Sequence, residues 1–231
     1  MNKKTDGTIE LTFTISWDKI QRAFEVEMKK AIEAAEIDGF RKGKAPKEIV
    51  ESKLDKSKLY GQAVQILLPD AYADQLKSHN LKPIIYPKLT VKSGKEGEDW
   101  IFEAIICELP SIEIPNDYLE QIKAIKLEKD QDKIATILEL LSSKAKAIIP
   151  EVLIEEETNH RLTTLVDNIT KVGLTIGKYL ESKKVTIEEF KIKLALEAKQ
   201  DLVVEFILNH IQKEQKLSER RQVLDYLMGL L

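Results

Sequence analysis

Cysteine, histidine and long apolar runs are all scarce in this chain of 231 residues. A single cysteine, Cys107, excludes an internal disulfide and points to a reducing, cytoplasmic compartment. Three histidines, His79, His160 and His210, lie far apart and form no metal-ligand spacing, so no metal is expected. No apolar run approaches the roughly 18 residues of a membrane span, and no membrane partner is expected. The charged start, Met1 to Gly7, leads into no apolar signal region. Neither a glycine-rich phosphate loop nor a Gly-x-Ser-x-Gly elbow is present, which argues against a nucleotide-driven machine or a hydrolase. No cofactor and no catalytic residue is expected. Excess charge is lacking too: 36 basic residues face 39 acidic ones, net −3, so any contact with an anionic partner must come from a local patch.

A hydrophobic share of 43% supports a packed core. The length allows one large domain or two small ones. Residues 8–17 alternate strictly, with Ile9, Leu11, Phe13, Ile15 and Trp17 on one side, the period of a half-buried strand. Ser16 or Asp18 is placed to cap a helix whose stripe is Ile20, Phe24, Met28, Ile32 and Ala35, ending near Ile37. Two further helices are predicted over 46–58 and 59–79, with Pro69 kinking or dividing the second. Strands follow at 88–92 and 100–109 around a glycine turn at 94–98. The expected fold class is α+β: a small antiparallel sheet with helices in residues 1–112, then an all-helical domain over 113–231 with an extended linker at its start.

In the second half, stripes at Ile134–Ala145 and Ile154–Val172 predict two helices. Thr186 and Glu189 form a capping box that opens a long helix over 187–212. Ser218 is placed to cap the last one, over 219–231. Glu155, Glu156 and Glu157 read as the acidic first turn of a helix, and Cys107 as an inert thiol in a strand.

The loop from 38 to 46 stands apart. It joins two helices and presents Phe40 between glycines, beside Arg41, Lys42 and Lys44. The stretch Arg41 to Lys58 holds seven basic and three acidic residues. An aromatic ring on a tip is costly unless a partner buries it, and cations suit RNA phosphate, where counterion release drives binding. Equally, Phe40 could fold back on its own helices while the cations are merely solvated. The residues alone leave both open.

Gly39-Phe40-Arg41-Lys42-Gly43-Lys44-Ala45-Pro46 resembles the Gly-Phe-Arg-x-Gly-Lys-x-Pro signature of trigger factor, a ribosome-associated bacterial chaperone family. The likeness continues in Cys107-Glu108-Leu109-Pro110, in Ile149-Pro150-Glu151-Val152-Leu153-Ile154-Glu155 and in the helix from Glu188 to Leu217. One departure is clear. The family usually carries a prolyl isomerase domain between its ribosome-binding part and its helical body, whereas here Leu119–Ala147 runs directly into Ile149-Pro150.

The resemblance implies an ATP-independent chaperone without isomerase activity. Gly39, Phe40, Arg41, Lys42, Gly43, Lys44 and Pro46 would dock on the large ribosomal subunit near the polypeptide exit. The helical domain would hold nascent and unfolded polypeptides on an apolar surface. The dense apolar terminus, with Val223, Leu224, Leu227, Met228 and Leu231, offers candidates for that surface, or else packs on neighbouring helices or forms a homodimer. The competing readings are a ribosome- or RNA-binding module that does no chaperoning and a divergent prolyl isomerase.

Overall fold

A computed structural model describes residues 1–38, 40–41, 46–125 and 132–230, the side chain of Lys47 excepted. The fold is α+β, as expected. The chain divides into two compact units, Met1–Asn2 with Ile9–Ile106, and Lys3–Thr8 with Cys107–Leu231. The junction at 106/107 falls a few residues before the expected 112/113, and the short segment Lys3–Thr8 groups with the helical unit.

The first unit is built on β1 (Asn2–Lys3), β2 (Thr8–Ile15), β3 (Lys88–Ser93) and β4 (Trp100–Cys107), in the order β1-β2-β4-β3. The alternation read from residues 8–17 is visible in burial: Ile9, Leu11, Phe13 and Ile15 are buried. Trp17, however, opens α1 (Trp17–Ala34) rather than closing the strand. Ser16 occupies the N-cap without a side-chain bond. Its place is taken from afar, because the Trp17 N–H donates to the Asp99 carboxylate at 2.8 Å.

α2 (Lys47–Lys53) and α3 (Lys56–Ser78) follow. The break falls at Leu54–Asp55, where the Asp55 carboxylate accepts from the N–H of Ser57 and Lys58. Pro69 lies inside α3, and the helix continues on both sides of it, so the proline does not divide it. The core lies between the sheet and α1 and α3. Ile20 and Val64 meet the inner residues of β2 and β4 there. Phe24 stacks on Tyr60 with centroids 4.1 Å apart, and Tyr60 lies 5.9 Å from Trp100. These rings join both helices to the sheet.

The second unit comprises β5 (Ile112–Glu113), α4 (Tyr118–Lys123), α5 (Lys133–Lys144), β6 (Lys146–Ala147), α6 (Glu151–Lys171), α7 (Ile176–Lys183), α8 (Ile187–Glu214) and α9 (Arg220–Met228). β5 and β6 pair antiparallel. The capping box of α8 is formed: the Glu189 N–H donates to Thr186 Oγ1 at 3.2 Å and the Thr186 N–H to Glu189 Oε2 at 2.9 Å. The last helix is capped at Glu219 rather than Ser218, whose N–H and hydroxyl both donate to Gln222 Oε1. α6 and α8 are tied by Arg161, which donates to Glu157 at 2.7 Å and to Asp201 at 2.8 Å.

Candidate functional site

α1 precedes the 38–46 segment and α2 follows it. Ile20 and Met28 bury α1 against the first unit, and Val50 buries α2, with 1% of its surface exposed. Pro46 stands at the N-cap of α2, and its carbonyl accepts from the N–H of Ile49 and Val50 at 3.0 and 3.2 Å. On the other side the chain leaves α1 at Ala35 and bends, and the Phe40 N–H donates to the Ile37 carbonyl at 3.0 Å.

Phe40 lies at the end of this turn. Its ring residue is 43% exposed, and Arg41 beside it is exposed as well. Of the two readings open to the sequence, full burial of Phe40 against its own helices does not occur. Pro46 is also exposed. Gly39, Lys42, Gly43, Lys44 and Leu231 lie outside the described residues.

The candidates at the carboxyl end divide. Val223 and Leu227 are fully buried, so they cannot receive a partner and are withdrawn as surface residues. Their four-residue spacing puts both on the face of α9 that packs on α5 and α8. Leu224 is half-buried and Met228 exposed. The second unit's conspicuous apolar surface lies elsewhere, on the first half of α8. Ile192 and Leu196, one turn apart, are 62% and 60% exposed. Further along, a groove of about 560 Å³ between α5 and α8 is lined by Leu138, Ser142, Lys199, Val203 and Val204, among others. The sequence signal for this face was the surplus of apolar residues on α8 beyond a single stripe, since Ile192 and Leu196 fall outside the row Phe190–Leu194.

Cys107 is fully buried, and burial, with the Asp6 carboxylate adding to it, pushes its thiol up to about 11. Among the described residues no group of three or more His, Cys, Asp or Glu is placed to hold a metal ion. No helix of the described residues is long and apolar enough to cross a membrane.

A family model described as "Bacterial trigger factor protein (TF)" matches residues 1–141, and one for the "C-terminus" of the same protein matches 113–228. The chain belongs to the trigger factor family. The two trigger factor matches overlap over 113–141, so no residues separate them. Among curated relatives, the trigger factors of Staphylococcus aureus strains JH9 and Newman are each 34% identical over 133 residues. That stretch is 58% of this chain and only 30% of each relative. A solved structure described as "Promiscuous Substrate Recognition in Folding and Assembly Activities of the Trigger Factor Chaperone" matches with a TM-score of 0.64 at 12% identity. It covers 98% of both chains and establishes likeness of fold.

Proposed function

We propose that this protein is an ATP-independent, cytoplasmic chaperone that docks on the large ribosomal subunit near the polypeptide exit and holds emerging or unfolded chains. The observation that carries the reading is the exposure of Phe40, 43%, next to exposed Arg41, within a stretch that resembles the trigger factor signature. Phe40 fills an apolar pocket on the ribosome. Arg41 and Lys42 pair with RNA phosphate or acidic side chains, and Lys44 adds a weaker, screened contact. Gly39 and Gly43 belong to the same docking segment, and Pro46 stands at the start of the helix that follows it.

Clients are held by burial of apolar area, worth about 25 cal/mol per Å² and indifferent to sequence. Ile192 and Leu196 on α8, the α5–α8 groove and exposed Met228 supply that area. Prolyl isomerase activity is no part of this reading, since the family matches leave no segment between them. Co-sedimentation with ribosomes tests the docking half: the wild type pellets, and a Phe40→Ala, Arg41→Ala, Lys42→Ala triple variant stays in the supernatant. Equal pelleting of the two would remove this loop as the anchor.

A further inference from the structure

The sheet of the first unit ends in a strand whose outer edge is open. β3 is terminal in the order β1-β2-β4-β3 and is paired with β4 on one side. Leu89, Thr90 and Val91 are exposed, and among the described residues no further strand pairs with β3 beyond β4. A strand edge of this kind presents backbone N–H and C=O groups in a row, and one kind of ligand fits it: another extended backbone.

The side chains narrow the choice. Residues opposite each other in an antiparallel pair share a face. Leu89 lies opposite Ala104 and Val91 opposite Phe102, and both partners are buried in the core. Leu89 and Val91 therefore continue the inner face of the sheet, yet they are 38% and 52% exposed. The apolar layer runs past its helical cover and stops at an open edge. Tyr86, 89% exposed, stands just before the strand.

The edge is also set in place before a ligand arrives. Trp100 Nε1 donates to the Lys95 carbonyl at 3.0 Å, closing the β3–β4 turn. Gly94 in that turn sits so near Val91 and Trp100 that a Cβ there would come within 3.1 and 3.2 Å of them. Ordering cost on binding is correspondingly small on this side.

A second copy of the chain is a poor occupant. The ladder shifts register between Val91 and Ser93, an irregularity that opposes pairing of like edges. A foreign chain need not carry such an irregularity. We propose that β3 binds an extended segment of unfolded polypeptide by strand addition centred on Thr90, with alternate apolar side chains of the segment laid on Leu89 and Val91. The proposal rests on the chaperone reading above and gives it a second, backbone-directed docking mode. Backbone pairing suits varied clients because every unfolded chain offers it.

The test uses the full chain and a fluorescein-labelled ten-residue peptide alternating valine and threonine, with a glutamate at each end. Its binding is measured by anisotropy and compared with the same peptide N-methylated at its four central amides. Strand addition predicts at least about a tenfold loss on methylation, because the ladder bonds cannot form. It also predicts that the parent peptide slows hydrogen exchange at Leu89–Val91. Equal affinity of the two peptides, or no binding by the parent, overturns the proposal. A Leu89→Lys, Val91→Lys variant should bind the parent about fivefold more weakly with unchanged helical circular dichroism; the peptide comparison stands on the wild type should that variant not fold. Suppression of client aggregation is measured in parallel. If it persists while methylation has no effect, strand addition alone is refuted; if it is absent, the chaperone reading itself fails.

Discussion

The Asp6 carboxylate accepts a hydrogen bond from the backbone N–H of Glu151 at 2.9 Å, across 145 residues of chain. Glu151 is the first residue of α6, whose N-cap, Pro150, offers no side-chain acceptor. Asp6 takes over the cap, and it is fixed for the task by the Thr8 N–H at 3.0 Å and the Thr8 hydroxyl at 2.8 Å. Gly7, at φ +89°, allows the turn that aims it, and a Cβ there would already touch Pro150. A lost cap costs about 0.5–2 kcal/mol. Asn keeps one acceptor oxygen but loses the charge and sets an NH2 where Asp6 accepts from the Thr8 or Glu151 N–H, so Asp6→Asn is expected to lower stability by about 1 kcal/mol at neutral pH, measured by urea denaturation of the helical unit's circular dichroism.

The same contact carries a pH signature. Partial burial pushes the Asp6 carboxyl up, but the hydrogen bonds from Glu151 and Thr8 outweigh it and leave the group below the usual carboxylate value. A depressed pKa in the folded state contributes stability above the unfolded value, about 3.9, that is lost as pH falls through the folded one. The gap between wild type and Asp6→Asn should narrow progressively below about pH 4. A gap that stays constant into acid would show that the carboxylate charge is not what stabilises α6.

Tyr118 behaves in the opposite sense. It is buried, and its hydroxyl donates to Glu214 Oε2 at 2.9 Å. Burial first, and the Glu214 carboxylate next, raise its phenol well above the ordinary value of 10.0. A raised tyrosine pKa gives stability that is full below the unfolded value of about 10 and declines as pH climbs towards the folded one. Tyr118→Phe should cost about 1 kcal/mol at pH 7 and should flatten the loss of stability above about pH 10. Alkaline denaturation midpoints of the two proteins check this.

Much of this architecture was legible because it is local. The alternation of Ile9 to Ile15 and the Thr186–Glu189 capping box are short-range patterns, and both took the form their spacing predicts. What the sequence hid is non-local. Asp99 and Asp6 cap helices far along the chain, and no spacing rule connects them to Trp17 or Glu151. Of the kink or division expected at Pro69, the division does not occur, and Leu67, Leu68, Ala71 and Tyr72 on either side of it pack against the core of the first unit. In the site, the exposure of Phe40 could not be chosen over burial until the backbone turn at Ile37 was seen. Val223 and Leu227 were open in the sequence to a surface or a packed reading, because α5 and α8, which cover them, are distant in sequence.

That correction makes its own prediction. Leu227→Ala opens a cavity in the core and should cost about 2–5 kcal/mol. An Ile192→Ser, Leu196→Ser double variant changes exposed positions and should stay within about 0.5 kcal/mol of the wild type per site. Yet the double variant should suppress aggregation of a reduced, unfolded client markedly less well, as followed by light scattering. Full suppression by it would mean that clients are held elsewhere.

The account turns on where the Phe40 ring goes when a ribosome is present. A photoreactive phenylalanine analogue placed at position 40 of the full chain, irradiated with purified ribosomes and mapped by mass spectrometry, reads this directly. The account predicts a crosslink to a component of the large subunit bordering the polypeptide exit, abolished by competing unmodified protein. Crosslinks only within the chain itself, or spread without preference over both subunits, would contradict it.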